Sequence, residues 1–387
     1  MLTKTSLLSA SACAAALLLN TAVQAETQLP PPLAEEVSDI AVLPAPGPHR
    51  LLLAGAFGPA VGAQLREGET GKLIGTVSLG GLANIAFAPD QSKIYVAETI
   101  WTKGNRGTRQ DMITVYDGRT LFIEKEIPLP GRVFMGPRRT NFSLSADGKQ
   151  AYMYNFDPSA SVNSVNLQDG SVTAIDIPGC AHAMAWGNTG FAVICADGSI
   201  GSVDTAQELA LTRSTPFFDA ENDPLFEEAA IDAAGQSGYF LSYTGQIHKV
   251  GLGPKPKAVE SWPIQAAAGL ELARPDDLQL AWRPGGSVIM AWHRATNRLF
   301  VLMHPGGHWT QKEAGEELWV VDLAKRKVTQ RLPLEAPARS VAVSQDNDAL
   351  LYLVSAEGAL TVLNAADLSS KATVAKVGMV TPIVPVQ

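Results

Sequence analysis

One strand–turn–strand unit recurs along this chain, and the recurrence limits what the chain can fold into. Its clearest copy is residues 144–166, LSADGKQAYMYNFDPSASVNSVN. Residues 146–149 predict a tight turn, because Asp147 and Gly148 tolerate the left-handed backbone that a hairpin connection needs. Residues 151–156 then carry the aromatic and apolar side chains of a strand on a packed sheet.

The same unit is read at 40–43 leading to 50–53, at 84–88 leading to 94–96, at 140–144 (the copy above) and at 183–186 leading to 191–194. It is read again at 229–232 leading to 239–241, at 288–293 leading to 299–302 and at 340–344 leading to 350–353. A third strand follows most copies, as at 112–117 and 318–322, and a fourth follows many, as at 73–77 and 328–332. Four short antiparallel strands per unit, at a period of about forty to sixty residues, predict an all-β fold: a seven-bladed β-propeller of four-stranded antiparallel blades. Each blade has two apolar faces and buries both only by stacking in a ring. Ring closure also lets so long a chain, residues 40–387, form one domain. The competing reading is a two-domain β-sandwich protein. The regular Asp/Asn/Gly turn after each first strand favours the ring.

The first residues read as an export signal. Lys4 is a charged n-region, residues 7–19 an apolar Ala/Leu-rich stretch, and Val23-Gln24-Ala25 a small-residue cleavage site. Residues 1–25 are therefore expected to be a signal peptide cleaved after Ala25, which puts the mature protein in the periplasm. A membrane anchor competes, but the apolar run is too short and is broken by Ser and Thr. Residues 26–39, rich in Pro, Ala and Glu, are expected to be a flexible N-terminal arm. The formal charge is −8, and loss of Lys4 takes it to −9. That sign disfavours nucleic acid and anionic membranes as partners.

Cys13 leaves with the signal, so Cys180 and Cys195 remain, flanking the hairpin that turns at Gly187-Asn188. Opposed strands bring such residues within disulfide reach, and an oxidising compartment allows the bond. The alternative is two buried free thiols.

A search for chemistry finds little. His304-Pro-Gly-Gly-His308 is the nearest approach to a metal spacing, with His293 in the same stretch. Zinc wants three or four convergent ligands, and no Cys, Asp or Glu clusters with this pair. Residues 68–72 (GETGK) lack the spacing and the following helix of a phosphate loop. Residues 236–238 (QSG) lack the strand–turn–helix setting of a nucleophile elbow. The acidic run 221–228, with Asp219 and Asp223, reads either as a calcium site or as a solvated loop. Asp276-Asp277 sits in a similar polar loop. Arg106, Arg109, Arg138 and Arg139 either face an acidic partner or pair with nearby carboxylates. Trp101, Trp282, Trp292, Trp309 and Trp319 fall near loops or strand ends, with packing between blades as the default reading. No nucleophile–base pair, cofactor loop or metal cluster emerges, so no catalytic residue is assigned to this chain.

Several stretches carry a family resemblance. Residues 95–111, YVAETIWTKGNRGTRQD, running on to Val115-Tyr116-Asp117, resemble the heavy subunit of quinoprotein amine dehydrogenases, the methylamine and aromatic amine dehydrogenase family. So do Pro178-Gly179-Cys180 with residues 195–198 (CADG), residues 242–248 (SYTGQIH), and residues 282–286 (WRPGG) followed by His293-Arg294 and His304-Pro305. The likeness runs from about residue 43 to about residue 377. It implies a seven-bladed propeller and a periplasmic α2β2 assembly with a small, disulfide-rich light chain. It implies that the light chain carries tryptophan tryptophylquinone and the catalytic Asp. The implied reaction is oxidative deamination of a primary amine to aldehyde and ammonia, with electrons passed to a cupredoxin such as amicyanin or azurin. It implies a paired Cys180 and Cys195, and it matches Phe57, in residues 54–59 (AGAFGP), to a family Phe at the mouth of the substrate channel. The competing reading of Phe57 is an ordinary loop side chain packed on the propeller end. Residues 301–306 and 122–127 look slightly closer to the aromatic-amine type. Two other functions remain in play: a non-catalytic periplasmic scaffold or ligand-binding propeller, and a self-contained propeller hydrolase.

Overall fold

The structure, a computed structural model, describes residues 42–55, 62–80, 83–104, 106–131, 138–156, 158–276 and 278–385. The expected signal peptide and arm lie outside these residues, and so does Phe57.

The recurring turn forms as its chemistry requires. Gly148 has φ 69°, and its N–H closes the turn onto the Ser145 carbonyl at 2.9 Å. Asp147 accepts from the Ser145 hydroxyl at 2.7 Å and the Lys149 N–H at 3.1 Å, an Asx-type lock on the same turn. The equivalent turns place Gln91, Gln236 and Asn297 in the left-handed region, at φ 58°, 49° and 50°.

Among the described residues these hairpins build six sheets. Five have four antiparallel strands and one has eight. One sheet runs in chain order through Asn84–Phe87, Lys93–Trp101, Arg109–Asp117 and Ile123–Pro128. In the eight-stranded sheet a 17-residue strand, Lys327–Val343, is shared. Its first part pairs with Gly315–Asp322 (Leu318 opposite Leu332) and its last part with Leu350–Ser355 (Val341 opposite Leu353). The chain is thus a β-propeller of four-stranded antiparallel blades, two of them merged through one continuous strand, where Ala281–Pro284 and Met290–His293 both pair with Arg298–Gly306.

The first repeat departs from expectation. Residues 42 and 43 are not in a strand, and residues 40 and 41 lie outside the described set. The innermost strand of that sheet is Val380–Ile383, from the far end of the chain, which pairs with Arg50–Gly55 (Leu52 opposite Ile383). The ring is latched by its C-terminal strand, a pairing with no local signal.

Burial follows the gaps between neighbouring sheets. Leu52 and Leu65 pack with Ile85 and Ile94; Ala97 and Ile113 with Met153 and Val165; Tyr152 and Val162 with Phe191 and Val193. The series continues through Ile200, Phe240 and Val301, then Leu302 with Leu351, and returns to the start where Tyr352 and Leu360 pack on Leu51 and Leu53. A buried Leu in such a layer contributes about 2–5 kcal/mol relative to Ala. Cys180 and Cys195 sit opposite one another in the hairpin register, Cα–Cα 4.0 Å, and are disulfide-bonded.

Candidate functional site

The innermost strands surround a cavity of about 340 Å³. Its wall takes Ile85, Phe142, Met184, Ala230, Met290, Val343 and Ile383, each from a different strand. These side chains are apolar, and Ile85, Phe142 and Met290 also belong to the packed clusters between sheets.

Arg139 lines one mouth of the cavity. Its backbone N–H and its Nε reach the two carboxylate oxygens of Glu228 at 3.0 and 3.1 Å, and Nη2 reaches the Met290 carbonyl at 3.5 Å. Beside it, Arg138 Nε bonds the Glu227 carboxylate at 2.5 Å, and the Thr140 hydroxyl bonds the Glu227 carbonyl at 2.5 Å. The basic and acidic groups singled out in the sequence thus meet each other, 89 residues apart. Burial alone would raise the Glu227 carboxyl, but the Arg138 hydrogen bond and charge hold it below its usual range.

His182 completes this mouth. It lies at a bulge, where register shifts between Ala181 and Met184, and takes φ 73°, a costly conformation for a non-glycine residue. Its Nδ1 is 2.8 Å from Asn141 Oδ1. Burial pushes the imidazole down to about 4, so it is neutral at neutral pH. Sequence reading passed over His182 and Asn141; the only local cue was the polar run 138–141 set directly before an inner strand.

The other singled-out residues resolve into supporting roles. Arg109 pairs with Asp111 at 2.8 Å. Asp223 accepts from the Thr244 N–H and hydroxyl and from the Ser242 hydroxyl, which pins one loop to another. Residues 68–72 are the turn between Gly62–Glu67 and Leu73–Val77, and residues 236–238 lead into the strand Ser237–Leu241. His304 Nδ1 lies 3.6 Å from Glu313, and His308 does not share a ligand set with it. Among the described residues no group of three or more His, Cys, Asp or Glu side chains converges to hold a metal.

The loops around this mouth also carry exposed apolar side chains. In each four-stranded set, the turn between second and third strands and the link to the next sheet emerge at the same end. Phe156 and Trp309 lie in such turns, and Leu272, Leu278, Leu280 and Met379 in such links. Leu278 is 93% and Leu280 82% exposed. Trp309 meets Tyr243 edge-on, ring centroids 6.0 Å apart, and Tyr243 lies 4.8 Å from Phe226, so the loops carrying these three rings touch.

The sequence pattern of the methylamine dehydrogenase heavy chain matches residues 54–386. The chain belongs to the methylamine dehydrogenase heavy-chain family. Within that family it is 29% identical over 356 residues to the heavy chain of Methylophilus methylotrophus, covering 89% of this chain and 86% of the relative. To the heavy chain of Paracoccus versutus it is 30% identical over 293 residues, 75% of this chain and 67% of the relative. Among solved structures, a functionally unknown protein from Desulfotomaculum acetoxidans aligns with TM-score 0.57 at 10% identity, covering 85% of this chain and 96% of that one. A dihydro-heme d1 dehydrogenase NirN aligns with TM-score 0.52 at 15% identity, covering 88% and 76%. At those identities the likeness is one of fold. The heavy-chain family membership replaces the scaffold and hydrolase readings of the sequence as the frame for this site.

Proposed function

We propose that this chain is the heavy subunit of an amine dehydrogenase that oxidatively deaminates primary amines to aldehyde and ammonia. Its part is to hold a light chain and to shape the path that substrate takes. The observation that carries this is the family match across residues 54–386. The loop end around Arg139, with Leu278, Leu280 and Trp309 exposed, is the docking face: obligate interfaces are apolar at the centre with a polar rim.

In this reading the light chain carries tryptophan tryptophylquinone, which supplies the electron-accepting chemistry, and two copies of each chain make an α2β2 assembly. A cupredoxin such as amicyanin or azurin receives the electrons. The close tryptophan pair in this chain, Trp282 and Trp319 at 5.7 Å, is core packing instead: Arg331 stacks on both rings at 4.7 and 4.8 Å, and Trp319 is fully buried. That supports placing the quinone on the partner.

The ring is read as seven blades, because seven inner strands line the cavity and Lys327–Val343 is shared between two blades of the eight-stranded sheet. Residues 40–387 are the propeller domain, residues 26–39 the arm, and residues 1–25 a signal that directs the chain to the periplasm. Among the described residues no helix is long and apolar enough to cross a membrane. Phe57 is read as a channel-mouth residue on the family resemblance alone; it lies outside the described residues, between Arg50–Gly55 and Gly62–Glu67 in sequence.

Coexpression with the cognate light chain tests the proposal. Amine-dependent dye reduction is expected from the purified pair and from neither chain alone. Activity of this chain in isolation, or failure of the two chains to copurify, would overturn it.

A further inference from the structure

The central cavity has a chemistry of its own. Small and apolar side chains dominate its wall, among them Ala86, Ala185, Ala230, Phe142, Met184 and Met290. The polar side chains on that wall are already committed to the protein. Arg139 is held by Glu228 at 3.1 Å, and Arg294 by Asp232 at 3.2 Å. The Gln345 carbonyl oxygen accepts from the Arg294 Nε at 3.1 Å, and its amide N–H goes to the Trp292 carbonyl at 2.8 Å. The Ser143 hydroxyl donates to the Ala183 carbonyl and accepts the Ala185 N–H. The Ser145 hydroxyl donates to Asp147 and accepts the Gln150 N–H, and the Thr140 hydroxyl donates to the Glu227 carbonyl. Trp292 Nε1 has no acceptor among the described residues, but that atom is shielded from solvent and so from anything in the cavity.

These commitments decide what the space can hold. A water settles in a cavity where about two to four polar groups receive it, and this wall has no uncommitted polar side chain open to it among the described residues. A cation needs acceptors, but the carboxylates of Glu228 and Asp232 are spent on guanidiniums. An anion needs donors, and the same two guanidiniums are spent on those carboxylates. Among the described residues no set of three or more metal ligands converges. What the wall does offer is apolar surface to cover. The volume of about 340 Å³ exceeds the roughly 150 Å³ in which an apolar cavity already takes up benzene.

We propose that the central cavity is a binding site for a neutral apolar molecule, the size of a substituted benzene ring or a short alkyl chain, held by burial of its surface against the inner strands. The site is formed by this chain's own strands and does not depend on the subunit role proposed above.

Calorimetry on the purified full chain tests it, with the Met184 and Met290 methyl resonances as reporters from the cavity wall. The probes are ethylbenzene, n-hexane, and two charged molecules with the same ring, 2-phenylethylammonium and phenylacetate. Saturable binding of a hydrocarbon is expected, with Kd on the order of 1 mM or tighter and both methyl signals shifted. The charged probes are expected to bind at least about tenfold more weakly. Ala86→Phe, which fills the space from a half-buried wall position, is expected to weaken hydrocarbon binding about tenfold or more, and Ala86→Leu repeats the test with a smaller insertion. Tighter binding of ethylbenzene assigns the ligand as aromatic, and tighter binding of n-hexane assigns it as an alkyl chain. No saturable hydrocarbon binding, methyl signals that stay in place on binding, a charged probe that binds as well as ethylbenzene, or wild-type binding by a folded Ala86 variant would overturn the proposal.

Discussion

Glu228 holds Arg139 twice, once by the backbone N–H at 3.0 Å and once by the guanidinium Nε at 3.1 Å. The carboxylate is 2% exposed and the guanidinium 28%, so the pair closes one mouth of the central cavity from its protein side. Removing one partner of a buried pair leaves the other unpaired. Glu228→Ala is expected to lose about 2–4 kcal/mol in urea denaturation, and Glu228→Gln less, since the amide oxygen still accepts one bond.

The disulfide is expected to stabilise the fourth sheet through its unfolded state. Its sequence separation of 15 corresponds to about 3 kcal/mol on the chain-entropy account. Cys180→Ser with Cys195→Ser, compared with wild type in guanidinium, should show a loss of roughly 2–4 kcal/mol. No change in midpoint would mean that the hairpin is already held by its neighbours.

Acid should weaken the fold through His182. Burial lowers its folded-state value to about 4, against roughly 6.5 when unfolded. Below the unfolded value the unfolded chain binds a proton that the native state does not, so stability falls as pH drops. The contribution is fully present above about pH 6.5 and is lost as pH falls towards 4. His248, also lowered to about 4 by burial, acts in the same direction. Chemical denaturation at intervals between pH 7.5 and 4.5 should show a slope that His182→Asn reduces.

The docking proposal predicts a separation of binding from folding. Leu278→Ala, Leu280→Ala and Trp309→Ala remove exposed side chains and should leave the melting temperature of this chain within a degree or two. Each should weaken light-chain association, with Trp309 the largest at about 2 kcal/mol or more. Surface plasmon resonance against the light chain gives the comparison, and unchanged affinity in all three would place the interface elsewhere.

Deleting residues from 380 onward removes the inner strand of the first sheet and exposes the paired edge of Arg50–Gly55. The expected product is aggregated or protease-sensitive, read by size-exclusion chromatography and limited trypsinolysis.

What the sequence made legible was local. The turn at residues 146–149 and the strands on either side of it form as read, because Asp, Gly and strand side chains carry their preference within a few residues. Two errors of organisation came from pairing that is not local. Residues 42 and 43 look like a strand start but Val380–Ile383 takes their place. Residues 328–332 and 340–344 read as strands of two separate units, yet Lys327–Val343 is continuous, and it changes partner from Gly315–Asp322 to Leu350–Ser355 along its length. The mouth of the cavity was half visible. Arg138, Arg139 and the acidic run stood out as charges, but their pairing spans 89 residues and depends on ring closure. His182 gave no cue, because its burial and its strained backbone arise only when that mouth is assembled.

The latch between Arg50–Gly55 and Val380–Ile383 also sets an order of events. Synthesis must reach residue 383 before the opening sheet can be completed, so a nascent chain stays an open arc with two raw edges until then. Commitment to a rigid ring therefore comes in a single late step, when the last strand docks beside the first.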